Sequence, residues 1–122
     1  MSRQFDAIVI GTGQAGPSLA ARFANAGKSV AIIERNKFGG TCVNTGCIPT
    51  KTLVASAYAA HMARRAADFG VQISGSIHVD MKAVKARKEK ILAKSRDGIE
   101  AWLRGMENCT VFHEQARFGF GS

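Results

Sequence analysis

The chain has 122 residues, enough for one hydrophobic core and short for a multi-domain enzyme. Its 46% hydrophobic content, with 13 glycines against 2 prolines, excludes a disordered or low-complexity chain and points to a globular fold with tight turns. The net charge of +8, from 17 Lys and Arg against 9 Asp and Glu, raises nucleic acid as a partner, a question settled by where those charges lie.

"DAIVI", Asp6 to Ile10, is an apolar run ended by glycine, which predicts a strand buried on both faces of a parallel sheet. The glycine-rich "GTGQAG" follows. An alanine- and leucine-rich helix is predicted from Gln14 to Ala26, with Pro17 in its first turn and Gly27 stopping it. "SVAIIE", Ser29 to Glu34, predicts a second buried strand, so the first 35 residues form a β-α-β unit with a right-handed crossover. A helix from about Thr50 to Ala67 carries Leu53, Val54, Tyr58, His61, Met62 and Ala66 on its predicted buried stripe. "FGVQISGSIHVD" is a linker. Asp80 is the predicted N-cap of a last helix reaching Leu103, with Met81, Val84, Ile91, Ser95, Ile99, Trp102 and Met106 facing inward. "CTVFHEQARF" predicts one strand, Thr110 to His113, turning into another, and the terminal "GFGS" falls just inside a sheet edge.

Residues 80–104 hold eight basic and four acidic side chains, a mixed and partly self-paired helix surface rather than a nucleic-acid stripe. The charge-free run from Ala7 to Ala21 is interrupted by three glycines and is too short to span a bilayer. Asp6 stands just before a very short apolar run without a small-residue cleavage site, so no signal peptide is read and a cytoplasmic location is expected.

Two motifs carry chemistry. Gly11, Gly13 and Gly16 form G-x-G-x-x-G where a strand hands over to a helix, and the next strand ends in an acid. Gly11 permits the tight turn, Gly13 admits a pyrophosphate to the backbone, and Gly16 allows close packing of helix on strand. The helix N-terminus offers unpaired N–H groups to the anion. Glu34 can accept hydrogen bonds from both ribose hydroxyls of an adenosine, and it repels a 2′-phosphate.

The second motif is "GGTCVNTGCIPTK", with Cys42 and Cys47 five positions apart. A zinc site needs more clustered ligands than these two, a distant Cys109 and three scattered histidines provide. A structural disulfide closing so short a loop removes little unfolded-state entropy, and cytoplasmic reductants oppose it. Redox chemistry is left. Five extended residues span roughly 17 Å, whereas disulfide partners need Cα atoms within about 7 Å, so the segment must coil, which Gly46 eases. Pro49 in a helix's first turn puts Cys47 at that helix's start, where the dipole favours a thiolate, and Cys42 is expected to be the thiol more open to solvent.

"GTGQAG", Glu34 and "GGTCVNTGCIPTK", in that order, resemble the FAD-dependent pyridine nucleotide-disulfide oxidoreductases, a family that includes dihydrolipoamide-dehydrogenase-like members, with "GCIPTKTL" and "GTGQAG" most similar to its mercuric-reductase-like proteins. The resemblance implies an α/β, Rossmann-like β-α-β FAD-binding domain with a parallel sheet and two further helices, incomplete at its C-terminal side. Residues 1–122 would be its N-terminal part, with the remainder of that domain, an NAD(P)H domain and a dimer-interface domain outside it. It implies FAD as cofactor, with Glu34 on its ribose and Thr41 by its pyrophosphate. Cys47 would face the flavin, Cys42 would attack substrate, and Lys51 would steady negative charge near the flavin's reactive nitrogen. NAD(P)H would be the co-substrate, a small-molecule disulfide or metal ion the acceptor, and a homodimer the assembly, with the partner subunit supplying the acid-base histidine. His61, His78, His113, Cys109 and Trp102 are expected to be structural. The rival is a binding module that holds an adenine dinucleotide without turnover, and the chain alone is expected to be inactive.

Overall fold

The computed structural model describes residues 2–119. Three short strands, β1 (Ala7–Ile10), β2 (Val30–Ile33) and β3 (Cys109–Phe112), pair in parallel in the order β1-β2-β3, with Ala7 opposite Val30 and Val30 opposite Cys109. Between β1 and β2 lies α1 (Gly16–Asn25). Between β2 and β3 run α2 (Gly40–Asn44), α3 (Cys47–Arg64), a 3-10 turn (Ala66–Phe69) and α4 (Met81–Arg104).

Local chemistry fixes these boundaries. Asp6 and Ser29 clip the entrances of β1 and β2 together: Ser29 N and Oγ each donate to Asp6 Oδ2 at 2.8 Å, and Asp6 N donates to Ser29 Oγ at 3.0 Å. The backbone and side-chain donors of Ser29 hold the Asp6 carboxyl below its usual range. At the end of α1, Gly27 adopts φ +75°, while its N–H bonds the Ala24 carbonyl and the Lys28 N–H bonds that of Phe23. That pair of bonds is a Schellman stop, which glycine makes without steric cost. Asp80 caps α4 by accepting from Lys82 N at 2.9 Å and Ala83 N at 3.1 Å, satisfying two donors that a helix start otherwise leaves unpaired.

The core lies between one face of the sheet and helices α1 and α4: Val9, Val30 and Ile32 from the strands meet Ala20, Ala24 and Leu103, with Phe38 beside them. Ala20 and Ala24 bring α1 close to the sheet. A fully buried leucine such as Leu103 contributes about 2–3 kcal/mol in transfer free energy alone.

The other face is only partly covered. Phe5, edge-on to Phe112 at 6.0 Å, and the segment around Gln115 shelter Ala31, but Ile8 and Ile10 are 62% and 58% exposed. The expectation of two-sided burial therefore holds for β2, the central strand, and fails for β1, which sits at the edge with one covered face.

Helix α3 departs from its predicted stripe. It starts at Cys47 rather than Thr50, only Thr52 is buried, and Leu53, Val54, Tyr58 and His61 are exposed because α3 packs mainly on α4. Arg87 of α4 joins the pair, donating to the Thr52 carbonyl at 3.1 Å and to Ser56 Oγ at 3.3 Å. On α4 the buried side chains are Leu92 and Leu103, with Ile99 and Met106 half-buried as expected, whereas Trp102 is 48% exposed and anchors nothing in the core. Cys109 packs against the core as expected, and burial raises its pKa. The chain after Phe112 continues to Gly119 without a further strand, so the second strand expected within "CTVFHEQARF" is not formed. Of "GFGS" only Gly119 lies within the described residues.

Two glycines separate backbone need from backbone freedom. A Cβ on Gly16 would strike the Gly11 carbonyl oxygen, so Gly16→Ala should cost about 2–3 kcal/mol by overpacking. Gly98, exposed within α4 with nothing near a new Cβ, should become about 1 kcal/mol more stable as Gly98→Ala through helix propensity. Urea unfolding of both variants checks the pair, and equal effects would contradict the close approach of α1 to β1.

Candidate functional site

The candidate nucleotide residues gather where β1 and β2 end. Gly11 turns the chain with φ +96°, its N–H bonding the Ile33 carbonyl at 2.7 Å, and delivers Thr12 into the interior at 1% exposure. There Thr12 meets Glu34, which is 8% exposed at the end of β2. Thr12 N and Oγ1 donate to Glu34 Oε2 at 3.0 and 2.6 Å, and Asn36 N donates to Oε1 at 2.8 Å. Burial pushes the Glu34 pKa up, and it is the largest single influence. The donors from Thr12, Asn36 and Arg35 together outweigh it and leave the carboxyl below its ordinary value of 4.5. Glu34 is thus a charged, pre-aimed acceptor.

The same threonine accepts a hydrogen bond from Gly39 N at 3.1 Å. Gly39 (φ +97°) and Gly40 (φ +62°) then reverse the chain into α2, conformations that side chains rarely adopt. A Cβ on Gly40 would lie 2.8 Å from Gly13 Cα, so the fingerprint loop and the entry to α2 touch backbone to backbone. A Cβ on Gly13 would meet nothing within 4 Å, so its outer side is open. Bare glycine backbone beside the start of α1, and a buried carboxylate at the adjoining strand end, fit the pyrophosphate and ribose of an adenine dinucleotide such as FAD. A cleft of about 380 Å³ runs past Glu34, Lys37, Gly40 and Thr41.

Two helices carry the cysteines. Cys42 lies in α2, Cys47 opens α3, and the elbow between them is Thr45 and Gly46. Gly46 packs so tightly on α2 that a Cβ would come within 3.0 Å of the Thr41 carbonyl and 3.3 Å of Cys42 Cα. This contact folds the segment back and brings the thiols together. A side-chain hydrogen bond with Cys47 that favours the protonated Cys42 thiol is the main cause of the raised Cys42 pKa, followed by desolvation. Both are free thiols, Cys47 exposed and Cys42 half-buried. In this chain, then, Cys47 and not Cys42 is the thiol more open to solvent.

Asn44 clamps α2 from behind, donating to the carbonyls of Phe38 and Gly40 at 2.9 Å each and accepting from Arg96 Nη1 at 3.4 Å. Thr41 is exposed on α2, and Lys51 is exposed one turn beyond Cys47 on α3, the spacing that shares a helix face. The three histidines stand elsewhere. His113 Nε2 is 2.7 Å from the Asn36 carbonyl and its ring lies edge-on to Phe38, His78 pairs with Ser76, and His61 lies beside Tyr58. Among the described residues no three His, Cys, Asp or Glu side chains converge as a metal site would require. No described helix is long and apolar enough to cross a membrane.

Thr12, Asn36, Asn44 and Arg96 were not singled out from the sequence. Thr12 offered one signal, a hydroxyl between two fingerprint glycines, while the others act through side-chain or backbone contacts that no spacing announces.

Comparison with known proteins agrees with this geometry. Residues 5–116 match the family model described as pyridine nucleotide-disulphide oxidoreductase. The chain is 41% identical over 112 residues to a dihydrolipoyl dehydrogenase of Chlamydia muridarum, covering 92% of this chain and 24% of that protein. A dihydrolipoyl dehydrogenase of Bacillus subtilis is 38% identical over 97 residues, covering 79% and 21%. Among solved structures, the HOCl-induced flavoprotein disulfide reductase RclA of Escherichia coli, as its Cu(II) complex, is 36% identical with a TM-score of 0.70, covering 93% of this chain and 22% of that one. The chain therefore spans about a quarter of the length of the relatives it matches. With fingerprint, acid and paired thiols in one place and the match running from residue 5 to residue 116, this chain belongs to the pyridine nucleotide-disulphide oxidoreductase family.

Proposed function

We propose that residues 1–122 form the N-terminal part of the FAD-binding domain of a disulfide oxidoreductase, in which electrons pass from NAD(P)H through FAD to Cys42 and Cys47 and on to substrate. The observation that carries this reading is the backbone contact of Gly13 with Gly40, which sets a nucleotide cradle directly against the helix bearing Cys42. Bound FAD supplies a two-electron carrier between nicotinamide and dithiol. Gly13 and the start of α1 would receive its pyrophosphate with Thr41 beside it, Gly11 and Gly16 shaping that turn, Glu34 would hold its adenosine ribose, and Lys51 would steady negative charge near the flavin's reactive nitrogen.

The chain's own chemistry is thiol exchange. Cys42 Sγ, once deprotonated, bonds to one sulfur of a substrate disulfide as the substrate S–S bond breaks, and the leaving thiolate takes a proton. Cys47 Sγ as thiolate then attacks Cys42 Sγ, which closes the Cys42–Cys47 disulfide and releases the second substrate thiol. Proton delivery falls to a histidine of the other subunit of a homodimer, since the three histidines here are bound elsewhere. Small disulfides are one acceptor class. The copper(II) named for the RclA structure supports metal ions as the other. The same reading places the protein in the cytoplasm, where reductants keep such thiols available.

A second reading, a dinucleotide-binding module without turnover, is favoured by the open sheet face at Ile8 and Ile10. Titration of the chain with FAD decides between them: a flavin spectrum whose long-wavelength thiolate-to-flavin band on two-electron reduction is lost in Cys47→Ser supports the first, and ADP binding without any such band the second.

Three further outcomes follow from the site. Gly13→Val leaves unfolding stability within about 1 kcal/mol, because a Cβ there meets no heavy atom within 4 Å, but weakens ADP binding at least about tenfold in calorimetric titration; unchanged affinity refutes the cradle. Since the folded pKa of Glu34 lies below the unfolded value, its contribution to stability is complete above pH 4.5 and lost as pH falls through the folded pKa. Acid titration of unfolding stability should therefore flatten in Glu34→Gln, and an unaltered acid limb would contradict the buried carboxylate network. In limited alkylation of the nucleotide-free chain, Cys47 should react first, then half-buried Cys42, and Cys109 last, its thiol being both packed and raised in pKa. Peptide mapping that finds Cys109 first would break this order.

A further inference from the structure

We infer that the Thr12 hydroxyl is a positioning group that couples the nucleotide acid to the dithiol helix, holding Glu34 on one side and the entry to α2 on the other. The inference rests on the proposed dinucleotide site and adds to it a residue that the fingerprint leaves unspecified. One hydroxyl has one hydrogen to donate and lone pairs to accept with. At Thr12 the hydrogen goes to Glu34 Oε2 at 2.6 Å, and the oxygen accepts from Gly39 N at 3.1 Å. The chain of donors therefore runs in one direction, Gly39 N–H to Thr12 O–H to carboxylate, and each bond polarises the next.

All three groups are buried: Thr12 at 1%, Glu34 at 8%, and Gly39 with them. Water cannot replace the hydroxyl without reopening the turn. If it is removed, Glu34 keeps the Thr12 and Asn36 backbone donors at 3.0 and 2.8 Å but loses its shortest bond, so Oε2 is held toward a ribose by one donor instead of two. At the same moment Gly39 N, in the residue preceding α2, is left buried without this acceptor. Cys42 lies three residues beyond Gly39 and its thiol is half-buried, so loosening that entry exposes it. A residue serving the turn alone would be replaceable by any side chain of the same shape. The hydroxyl makes Thr12 different, because its effects appear at both ends.

The test compares Thr12→Val, which keeps shape and loses the hydroxyl, with Thr12→Ser, which keeps the hydroxyl and loses the methyl. Two readouts are taken on the full chain: ADP affinity by calorimetry and the iodoacetamide rate at Cys42 by peptide mapping. Thr12→Val should bind ADP about tenfold more weakly and alkylate Cys42 several-fold faster, and Thr12→Ser should restore both, as expected for one buried hydrogen bond to a charged group. If Thr12→Val does not fold, Thr12→Ser against Thr12→Ala gives the same one-oxygen comparison. A hydroxyl-free variant that binds ADP like the parent, a Cys42 rate that stays put while affinity falls, or a serine variant no better than its hydroxyl-free counterpart each overturns the coupling. Failure of the unmutated chain to bind ADP overturns the dinucleotide reading itself, and the coupling with it.

Discussion

A carboxylate stays charged inside a protein only if donors replace the water it has lost, and the burial of Glu34 imposes that condition on everything around it. Thr12 must stand inside the turn, which requires Gly11 at φ +96° ahead of it. Asn36 must present its N–H, which bends the chain immediately after β2. Gly39 must approach Thr12, which forces the paired left-handed glycines that start α2. One buried charge thus fixes a strand end, a turn and a helix entry. The donors outweigh burial and hold the Glu34 carboxyl below its ordinary pKa.

The hydrophobic core serves this arrangement from below. α1 and α4 cover one face of the sheet, and their contacts with Val9, Val30 and Ile32 hold the strand ends level so that the turns above them meet. Small residues set the distances. Gly16 lets α1 begin against Gly11, and Ala20 and Ala24 keep it there, so the start of α1 lies beside the loop rather than above it. The charge on α4 belongs to the same scaffold: Arg87 bonds α3, Arg96 bonds Asn44, Arg104 pairs with Glu100 and Lys88 with Glu89. Half of the eight basic side chains of residues 80–104 are engaged within the chain, which agrees with a mixed, self-paired surface.

What could be read from the sequence was whatever depends on short separations. The β-α-β unit was legible because an apolar strand, a glycine turn, Pro17 and Gly27 stand in fixed order, and the cap at Asp80 because capping is a contact over three residues. Periodicity misplaced the inward face of α3 and part of that of α4. Leu53 and Tyr58 have helical spacing, but α3 meets α4 along another face and leaves them exposed, and Trp102 yielded to Leu103 because α4 meets the sheet along a line one residue round the helix. Thr12–Glu34 and Asn44–Arg96 span 22 and 52 residues, and nothing local marks such pairs.

The dithiol makes the limit of local reading sharper still. From spacing alone the cysteines needed only to approach, and Gly46 made approach possible. Their inequality comes from the fold. Cys42 sits in a five-residue helix held from behind by Asn44 and entered through Gly39, whereas Cys47 starts an 18-residue helix on the open side of the elbow. A short helix has little cooperative stability of its own, so the position of Cys42 depends on those two clamps, and the second is anchored on the threonine that bonds Glu34. The exposed thiol is carried by the rigid element and the sheltered thiol by the dependent one. Thr12 thus touches the entry to the helix of Cys42 directly, through Gly39, whereas Cys47 lies beyond the elbow in the next helix.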